Sequence, residues 1–577
     1  MRLRICLVSP FAWSRPHEVN EHVGGIAGAL RARGHSVTVL APSTRAADLA
    51  AGRRSLLDGA DAEVIAVAPA VPVSRRSRVG VPVGIRANLA LALRSGAYDV
   101  VHGFEPGLPS LSYLALREAD ALAVATFLSP ERIGYPPGRV QRERLLARVD
   151  ALLATSEETA AAASLRFPGH YELISEGVDP ELFRPGRKRK AIALEWRPGE
   201  GVTRAVLRVL EELADWELVL LRTKPLSGRP YTPLAVRERV HVRTARDAGT
   251  RARFLAEARI FVPAPNGMRR LTLEAAAAGA AVAAPRGVSE QPELAAAEMG
   301  RLADDADYRE RRAAEGRARA RAESFTAVAA QLDDLYGSLS RRRRVARARS
   351  VDPLAERDWI LCDLHMHTSW SHDCSIRPAD LVEHALAQGL GAIAVTDHNA
   401  LGGALETAEL ARGSDLAVVP GEEVKTDGQG EVIGLFLEDE IARGMSFADT
   451  IAAIKDQGGL VYLPHPFDRL HTIPDSATLH RHLADIDVFE AYNARLLFDA
   501  YNDEAERFAR KYNLTVGAGS DAHVLQGVGT GALRMRAFGD RDEFLLSLRT
   551  AQVVRRPKSL VYLQGLKWVA QAKERVR

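Results

Sequence analysis

Short apolar runs alternate with amphipathic stretches along most of the 577-residue chain. Such runs predict buried strands, and apolar positions at helical spacing predict the helices between them. A first series of strands is predicted at residues 5–9, 36–41, 99–102, 121–127 and 151–155. A second series is predicted at residues 191–194, 216–222, 240–242, 260–263 and 281–284. Strands that alternate with helices favour two doubly wound α/β domains with parallel sheets and a ligand cleft between them.

The end of this α/β region is marked by a long helical pattern and a basic run. The helical pattern covers residues 307–340, and residues 341–349 are rich in arginine. Such a run can bind nucleic acid or an acidic membrane, but its shortness and lack of interleaved aromatic residues favour a solvated linker. We therefore predict two α/β domains, a linker and a third domain, at residues 1–172, 173–339, 340–357 and 358–577.

In the third domain, most predicted strands lead into a histidine or an acidic residue. These strands lie at residues 359–361, 392–395, 416–419, 431–437, 459–463, 486–490 and 514–518. In a β/α barrel the carboxyl ends of the strands meet at one mouth, where catalytic residues collect. The pattern therefore predicts a cluster of ionisable side chains at one end of a barrel.

The first of these strands leads into His365-Met366-His367. Side chains two residues apart on an extended chain point the same way, and neutral imidazole binds Zn, Fe, Mn and Ni. Later strand ends supply more ligand types: Asp373, His398, Glu423, Glu431, His465, Asp521 and His523. Ionisable groups gathered in a buried mouth are costly unless a metal neutralises them, so we predict a metal centre. Histidines and carboxylates without thiolates favour Mn, Fe or Zn.

Six motifs in this order resemble the PHP (polymerase and histidinol phosphatase) family: His-Met-His-Thr, Ser-His-Asp-Cys, Thr-Asp-His-Asn, Gly-Glu-Glu-Val, His-Pro-Phe-Asp and Ser-Asp-Ala-His. The resemblance implies a distorted seven-stranded β/α barrel in which two or three divalent metals hydrolyse phosphoesters. It implies that His365, His367 and Asp521 hold a first metal. Glu423 would bridge to a second metal held by His465, and the third subsite would comprise Asp373, His398 and His523.

Glu431 departs from the family pattern, because many relatives carry a histidine at this position, although a carboxylate can still bind Mn or Fe. Asp397 is interpreted as a residue that orients a ligand histidine. The forked N–H donors of arginine match the oxygens of a phosphoester, so Arg469 and Arg495 are candidate catalytic residues. The alternative for each of them is a surface salt bridge. His372 is a candidate proton donor to the leaving group, or a loop histidine without a role. The expected substrate is a phosphorylated small molecule or a short oligonucleotide.

Residues 1–339 resemble GT-B glycosyltransferases of the large retaining family that includes phosphatidylinositol mannosyltransferases. The matching motifs include Arg-Gly-His-Ser-Val-Thr-Val-Leu-Ala-Pro, Phe-Glu-Pro, Gly-Val-Asp and Leu-Glu-Ala-Ala-Ala-Ala-Gly. The resemblance implies two Rossmann-like domains, with a nucleotide-sugar or lipid-headgroup ligand at their cleft.

Several positions in this region depart from that family's donor site. His17-Glu18 replaces a Gly-Gly pair, Leu128 replaces a histidine, and Glu195 and Glu200 replace the Arg and Lys that grip the diphosphate. Glu274 remains from a glutamate pair whose other member is Asn266. Anions in place of cations repel a diphosphate. We expect an inactive or diverged scaffold beside an active phosphoesterase. The alternative is an active glycosyltransferase with an accessory phosphoesterase.

Composition adds little to this picture. The formal net charge of +3 says little about partners, because acidic and basic residues almost balance, and three cysteines make no disulfide framework. The N-terminal apolar run is too short for a signal peptide, and no run approaches the length of a membrane span. The sequence therefore predicts a soluble cytoplasmic protein.

Overall fold

A computed structural model describes residues 2–58, 62–70, 85–199, 201–224, 230–265, 268–284, 291–343, 352–556 and 558–559. The chain divides into two compact units, unit 1 at Met1–Ser340 and unit 2 at Arg341–Arg577. The finer division of unit 1 at residue 172 and the separate linker at residues 340–357 stay predictions. Two residues of the sequence argument, Glu200 and Asn266, and most of the basic run lie outside the described residues.

Unit 1 begins with a parallel sheet whose strands alternate with helices along the chain. Its strands are β1 (Arg4–Val8), β2 (Ser36–Ser43), β3 (Val64–Pro69), β4 (Val100–Phe104), β5 (Leu122–Phe127), β6 (Ala151–Ala154) and β7 (Tyr171–Leu173). The helices between them are α1 (Glu18–Ala32), α2 (Ala46–Asp58), α3 (Arg86–Gly96), α4 (Leu111–Glu118), α5 (Arg139–Leu146) and α6 (Glu157–Ser164). The strands lie in the order β3-β2-β1-β4-β5-β6-β7. β4 and β5 are buried at every position, as expected for central strands of a parallel sheet.

A second parallel sheet follows. Its strands are β8 (Ala191–Glu195), β9 (Glu217–Arg222), β10 (Val240–Thr244), β11 (Ile260–Val262) and β12 (Ala281–Val282). They lie in the order β10-β9-β8-β11-β12. The accompanying helices are α7 (Gly201–Glu212), α8 (Ala248–Glu257), α9 (Arg269–Ala277), α10 (Pro292–Asp304), α11 (Ala306–Ala322) and α12 (Phe325–Ser340). The two predicted Rossmann-like sheets are therefore confirmed, with β3 and β7 in addition to the strands expected from the sequence.

The single helix predicted at residues 307–340 is wrong. The chain leaves the helix between α11 and α12, where the Phe325 N–H donates to the Val178 carbonyl at 2.9 Å. The Phe325 ring packs on Gly25, where an added Cβ would lie 2.4 Å from the ring. This break turns α12 back so that it packs against α1 of the first sheet. A tertiary contact therefore interrupts a stretch that is helical by local pattern alone.

Unit 2 is a nearly closed sheet. Its strands are β13 (Trp359–Met366), β14 (Ala392–His398), β15 (Ala417–Lys425), β16 (Glu431–Leu435), β17 (Leu460–Leu463), β18 (Val488–Asn493), β19 (Val516–Gly519), β20 (Gly531–Arg536) and β21 (Gln552–Arg555). The helices are α13 (Pro378–Ala387), α14 (Gly402–Leu410), α15 (Phe447–Asp456), α16 (Ser476–His482), α17 (Asp499–Tyr512) and α18 (Arg541–Leu548). The order is β19-β18-β17-β16-β15-β14-β13-β20-β21.

The predicted seven-stranded barrel corresponds to β13–β19 and is confirmed. β19 returns beside β13, where the Asp521 N–H donates to the His365 carbonyl at 2.7 Å and the His367 N–H donates to the Ala522 carbonyl at 3.1 Å. β16 runs antiparallel to both of its neighbours, whereas the other barrel strands pair in parallel. β20 and β21 extend the sheet as antiparallel strands that the sequence did not predict. Among the residues that the structure describes, every helix is too short or too polar to cross a membrane.

Candidate metal centre

The strand directions bring the predicted ligand residues to one rim of the barrel. β14 and β15 end at or just beyond His398 and Glu423, and His465 follows β17. Glu431 opens β16, but that strand is reversed, and Glu431 pairs with Lys425 at the end of β15. The reversal explains why an acidic residue at the start of a strand shares a rim with residues at the ends of others.

Glu423 lies at the centre of the cluster and is 1% exposed. Its Oε2 atom lies 3.4 Å from His365 Nε2, 3.5 Å from His367 Nε2 and 3.1 Å from His398 Nδ1. Its Oε1 atom lies 3.0 Å from His465 Nε2. One carboxylate therefore faces four imidazoles, as a residue that bridges two cations would.

Asp521 and Asp373 add two carboxylates that contact imidazoles of the cluster. Asp521 Oδ1 lies 3.4 Å from His367 Nε2, and Asp373 Oδ2 lies 3.0 Å from His523 Nε2. Asp373 Oδ1 is also 3.8 Å from His398 Nε2. The fold therefore brings Asp373 next to both His398 and His523.

Glu431 contacts two imidazoles of the cluster. Its carboxylate lies 4.0 Å from His398 Nδ1 and 3.9 Å from His465 Nε2. Glu431 and His398 also form one of the groups, together with Glu423, whose ligand atoms lie close enough to share an ion. The Glu431 carboxylate therefore lies where it could share a cation with His398 and Glu423.

Two of the candidate ligands have left-handed backbone conformations, with φ of 51° at Asp521 and 26° at His465. Such conformations cost about 1–3 kcal/mol for a residue with a side chain and persist only where neighbours hold them. The Asp521 N–H donates to the His365 carbonyl, and the His465 N–H donates to Glu490 Oε2 at 2.6 Å. Both strained residues are thus held in place by hydrogen bonds to residues of the cluster or next to it.

Glu490, which the sequence analysis did not select, contacts two of the candidate ligands. Its Oε1 atom lies 3.1 Å from His365 Nδ1 and accepts the Tyr462 hydroxyl at 2.8 Å. An ionised carboxylate only accepts hydrogen bonds, so Nδ1 of His365 carries a proton toward Glu490 and Nε2 is the atom that faces the cluster. Gly519 makes this approach possible, since a Cβ there would lie 2.9 Å from Glu490 Oε1 and 2.3 Å from His365 Cβ. The sequence feature that could have identified Glu490 is its position as an acidic residue at the end of an apolar strand.

Ser371 orients the second histidine of the His-x-His pair. Its Oγ atom donates to Asp397 Oδ1 at 2.7 Å, accepts the His398 N–H at 2.9 Å and lies 3.2 Å from His367 Nδ1. Because the single hydroxyl proton is used on Asp397, Oγ accepts from His367 Nδ1–H and leaves Nε2 as the ligand atom. Asp397 therefore acts on the candidate ligand His367 through Ser371.

The cluster strongly perturbs its own ionisation. Burial opposes the imidazolium form of His365, but Glu423 and Asp521 outweigh burial and hold its pKa well above the ordinary value. Burial likewise opposes the charged form of Glu423, but His365 and His398 hold its pKa well below its usual range. Burial and the neighbouring Glu423 raise the pKa of Glu431. Protons therefore offset the carboxylates in the metal-free chain, and cation binding is expected to release them.

The donor atoms fit divalent metals. Within the described part of the chain, His365 Nε2 and His367 Nε2 are buried without a hydrogen-bond partner, which is costly for polar atoms unless a ligand satisfies them. Both atoms face the carboxylates of Glu423 or Asp521. Imidazole nitrogens and carboxylate oxygens together suit Mn, Fe or Zn.

The three candidate catalytic residues are placed differently. Arg495 Nη1 lies 3.0 Å from Asp521 Oδ1 and 3.2 Å from His523 Nε2, so this guanidinium reaches the cluster. His372 is exposed, with its ring centroid 5.7 Å from that of His398. Arg469 makes two hydrogen bonds of 2.9 Å to Glu504, which favours the salt-bridge alternative.

The cleft of unit 1 contains a second charged cluster, which we call the cleft ion cluster: Glu21, Arg251, Arg270 and Glu274. Arg251 Nη2 donates to Glu21 at 2.7 Å and to Glu274 Oε1 at 2.8 Å. Arg270 also pairs with both glutamates. Glu21 belongs to α1 of the first sheet and the other three residues belong to α8 and α9 of the second. Ion pairs therefore join the two halves of unit 1.

The described residues that depart from the glycosyltransferase pattern are buried or make polar contacts within the chain. His17 Nδ1 accepts the Val19 N–H at 3.2 Å and caps α1, and Glu18 pairs with Arg132. Although burial opposes its ionisation, Arg132 lowers the pKa of Glu18 to about 2. Glu195 accepts the Met268 N–H at 2.6 Å, and Leu128 is buried.

Three family models match the chain. The model for Glycosyltransferase Family 4 matches residues 19–182, the PHP domain model matches residues 363–507 and the PHP-associated model matches residues 499–553. An uncharacterized protein of Methanocaldococcus jannaschii is 36% identical over 141 residues, which cover 23% of this chain and 82% of that protein. The chain belongs to the PHP family. Its PHP domain lies in unit 2, together with the metal cluster.

Unit 1 is similar to proteins of another family. The phosphatidyl-myo-inositol mannosyltransferase of Propionibacterium freudenreichii is 30% identical over 244 residues, which cover 41% of this chain and 61% of that protein. A glycosyltransferase structure from Rickettsia africae is 13% identical, with a TM-score of 0.42, and the match covers 59% of this chain and 98% of that one. The chain thus combines a GT-B-like module with a PHP domain.

Proposed function

We propose that the PHP domain hydrolyses phosphoric esters with two or three bound divalent metals, Mn, Fe or Zn. The observation that supports this proposal is the buried cluster around Glu423, in which five imidazoles and four carboxylates face one another. A set of this size exceeds what one structural ion needs, and its rim position is where barrel enzymes act.

The proposed ligands divide into three overlapping subsites. His365, His367 and Asp521 hold one cation, and Glu423 is shared with a second that His465 and Glu431 complete. The third subsite comprises Asp373, His398 and His523. Bound divalent cations lower the pKa of water toward neutrality and neutralise charge on phosphoryl oxygens.

The remaining task of the chain is to bind the ester and to manage a proton. Arg495 is proposed to bind a phosphoryl oxygen, since a forked guanidinium matches that geometry and its Nη1 atom already reaches Asp521. His372 is proposed as the proton donor to the leaving group, because it lies exposed on the rim loop next to His398. Arg469 is assigned no contact with the substrate, because Glu504 holds both of its terminal nitrogens.

Metal analysis combined with a phosphatase screen tests this function. We expect the purified protein to contain Mn, Fe or Zn and to release phosphate from at least one phosphomonoester or diester. Chelation should abolish the release, Mn or Fe should restore it, and His365→Ala or Asp521→Ala should eliminate it. Protein with neither bound metal nor activity across a panel of nucleotides, oligonucleotides and sugar or lipid phosphates would refute the proposal.

The second candidate function is glycosyl transfer by unit 1, which the family match at residues 19–182 favours. We propose instead that this module is a scaffold or binds a ligand without transfer. The observation that supports this proposal is the cleft ion cluster, because Arg251 and Arg270 are already neutralised by Glu21 and Glu274. A diphosphate that entered would have to displace these carboxylates, and Glu18 and Glu195 add further negative charge.

Calorimetry with nucleotide sugars distinguishes the two functions of unit 1. We expect UDP- and GDP-sugars to show no micromolar binding, because the arginines of the cleft ion cluster are already paired with carboxylates of the chain. Binding of a divalent metal by the same preparation serves as the control for folded protein. Micromolar binding followed by sugar transfer would establish the glycosyltransferase alternative.

A further inference from the structure

We propose that the Trp370 indole is a stacking surface for the nucleobase of a nucleotide whose phosphate is cleaved at the metal centre. This inference rests on the proposed phosphoesterase function and narrows its substrate class. Trp370 lies on the loop that follows β13, three residues after His367, and is 51% exposed. An indole that is half exposed near the candidate ligands offers a flat apolar face on which a nucleobase can stack.

The ring is held in one orientation. Its Nε1–H donates to Glu406 at 2.8 Å, and a Cβ built on Gly402 would lie 2.4, 2.6 and 2.8 Å from three neighbouring ring carbons. Nearly equal distances to adjacent carbons place that Cβ position over the face of the ring and not at its edge. A Cβ on Gly403 would likewise lie 2.9 Å from the indole. The backbone of α14 therefore covers one face of the indole, and the exposed half of its surface remains available for stacking.

The same loop is fixed to the metal cluster. The Ser371 N–H donates to the Thr368 carbonyl at 3.0 Å, which closes a turn that contains Trp370. Thr368 and Ser371 both donate to Asp397, and Ser371 contacts His367. Three residues span at most about 10 Å of chain. The stacking surface is therefore held within a short, fixed distance of the candidate ligands.

The exposed apolar side chains near the rim favour a substrate that carries a nucleobase over one that is polar throughout. Three more exposed apolar side chains lie on loops that carry cluster residues: Leu470, Leu497 and Phe498, with 56%, 59% and 49% exposure. Leu497 and Phe498 follow closely on Arg495, the proposed phosphate contact. A nucleotide presents both a phosphate and a flat apolar face. Stacking of a base on an aromatic side chain is strong and tolerates any base, because every base has a π face.

Hydrolysis of matched esters by variants tests the proposal. We expect Trp370→Ala to raise the KM for a nucleoside monophosphate about ten- to a hundred-fold. The KM for glycerol phosphate and the kcat for both esters should stay within about two-fold. Trp370→Phe should restore most of the loss, and nucleotide binding should quench the tryptophan fluorescence of the wild type more than that of Trp370→Phe. Leu405→Ala, which removes a 46% exposed side chain from α14, is the matched control and should change neither KM.

Three results would overturn the inference while leaving the proposed function intact. The first is an equal effect of Trp370→Ala on glycerol phosphate and on the nucleotide, which would indicate a structural role. The second is an unchanged nucleotide KM. The third is an equal dependence on Trp370 for a hexose phosphate, since a sugar ring also stacks on an indole. Absence of hydrolysis for every ester, in contrast, would overturn the proposed function itself.

Discussion

Replacing Glu423 by glutamine is expected to reduce phosphoester hydrolysis at least about a thousand-fold while the protein remains folded. Its carboxylate faces His365, His367, His398 and His465, so it is the shared anion of two proposed subsites. Loss of one bridging charge removes several kcal/mol of electrostatic stabilisation, and each factor of ten in rate corresponds to about 1.4 kcal/mol. Steady-state kinetics with saturating Mn or Fe measure the rate, and metal analysis of the same sample measures occupancy.

The preceding residue offers a matched control. Glu422 is equally buried in β15, but its Oε2 atom accepts the Ile441 N–H at 2.9 Å and its side chain does not contact the cluster. Glu422→Gln makes the same replacement of a carboxyl by an amide of equal size, and we expect it to keep both the rate and the metal content within a few-fold of the wild type. Equal loss in the two variants would mean that Glu423 acts through the fold of the barrel and not as a shared ligand.

Replacing Glu490 by glutamine is expected to weaken metal binding about 10- to 100-fold, the range found for partners of ligand histidines. Glu490 accepts hydrogen bonds from His365 Nδ1, the His465 N–H and Asn493 Nδ2. The sequence around it does not distinguish it from an ordinary acidic residue at the end of a strand. Its charge makes His365 a stronger ligand, and its second oxygen holds the strained backbone of His465. Competition with a fluorescent chelator measures the affinity of the metal-free chain directly.

Glu490 is thereby defined as a positioning residue, and its effect must be separated from lost stability. We expect the glutamine variant to shift the ¹⁵N resonance of His365 Nδ1, because a neutral amide replaces the anionic acceptor. Glu422→Gln is again the control, with unchanged metal affinity. If Glu490→Gln binds metal as tightly as the wild type, the imidazole of His365 is oriented by packing alone.

The metal centre was largely predictable because local pattern and strand direction are linked. Each parallel strand that ends in His, Asp or Glu delivers that side chain to the same rim, so a series of strand ends predicts a cluster. Glu431 fits this logic only because β16 is reversed. Glu490 and Ser371 were not predicted as functional, because a buried acid and a loop serine acquire their roles from contacts with residues far away along the chain.

Unit 1 illustrates the opposite case. Its alternating pattern predicted both parallel sheets, since each strand is recognisable from its own residues. The break between α11 and α12 depends on Val178, more than a hundred residues earlier, and local pattern alone predicted one helix. The replaced donor-site residues indicated diverged chemistry, but only the folded chain brings Glu21 of α1 onto Arg251 and Arg270.

The sequence by itself determined the two α/β sheets, the barrel, the nine candidate ligands and the resemblance to the PHP family, because these depend on residue type and spacing along single strands. Tertiary structure decided which nitrogen of His365 and His367 faces the cluster, which arginine reaches it, and how the indole of Trp370 is held. It also decided that the arginines of the cleft ion cluster are paired within the chain. These features depend on the directions of side chains from separate elements, and only packing of those elements sets such directions.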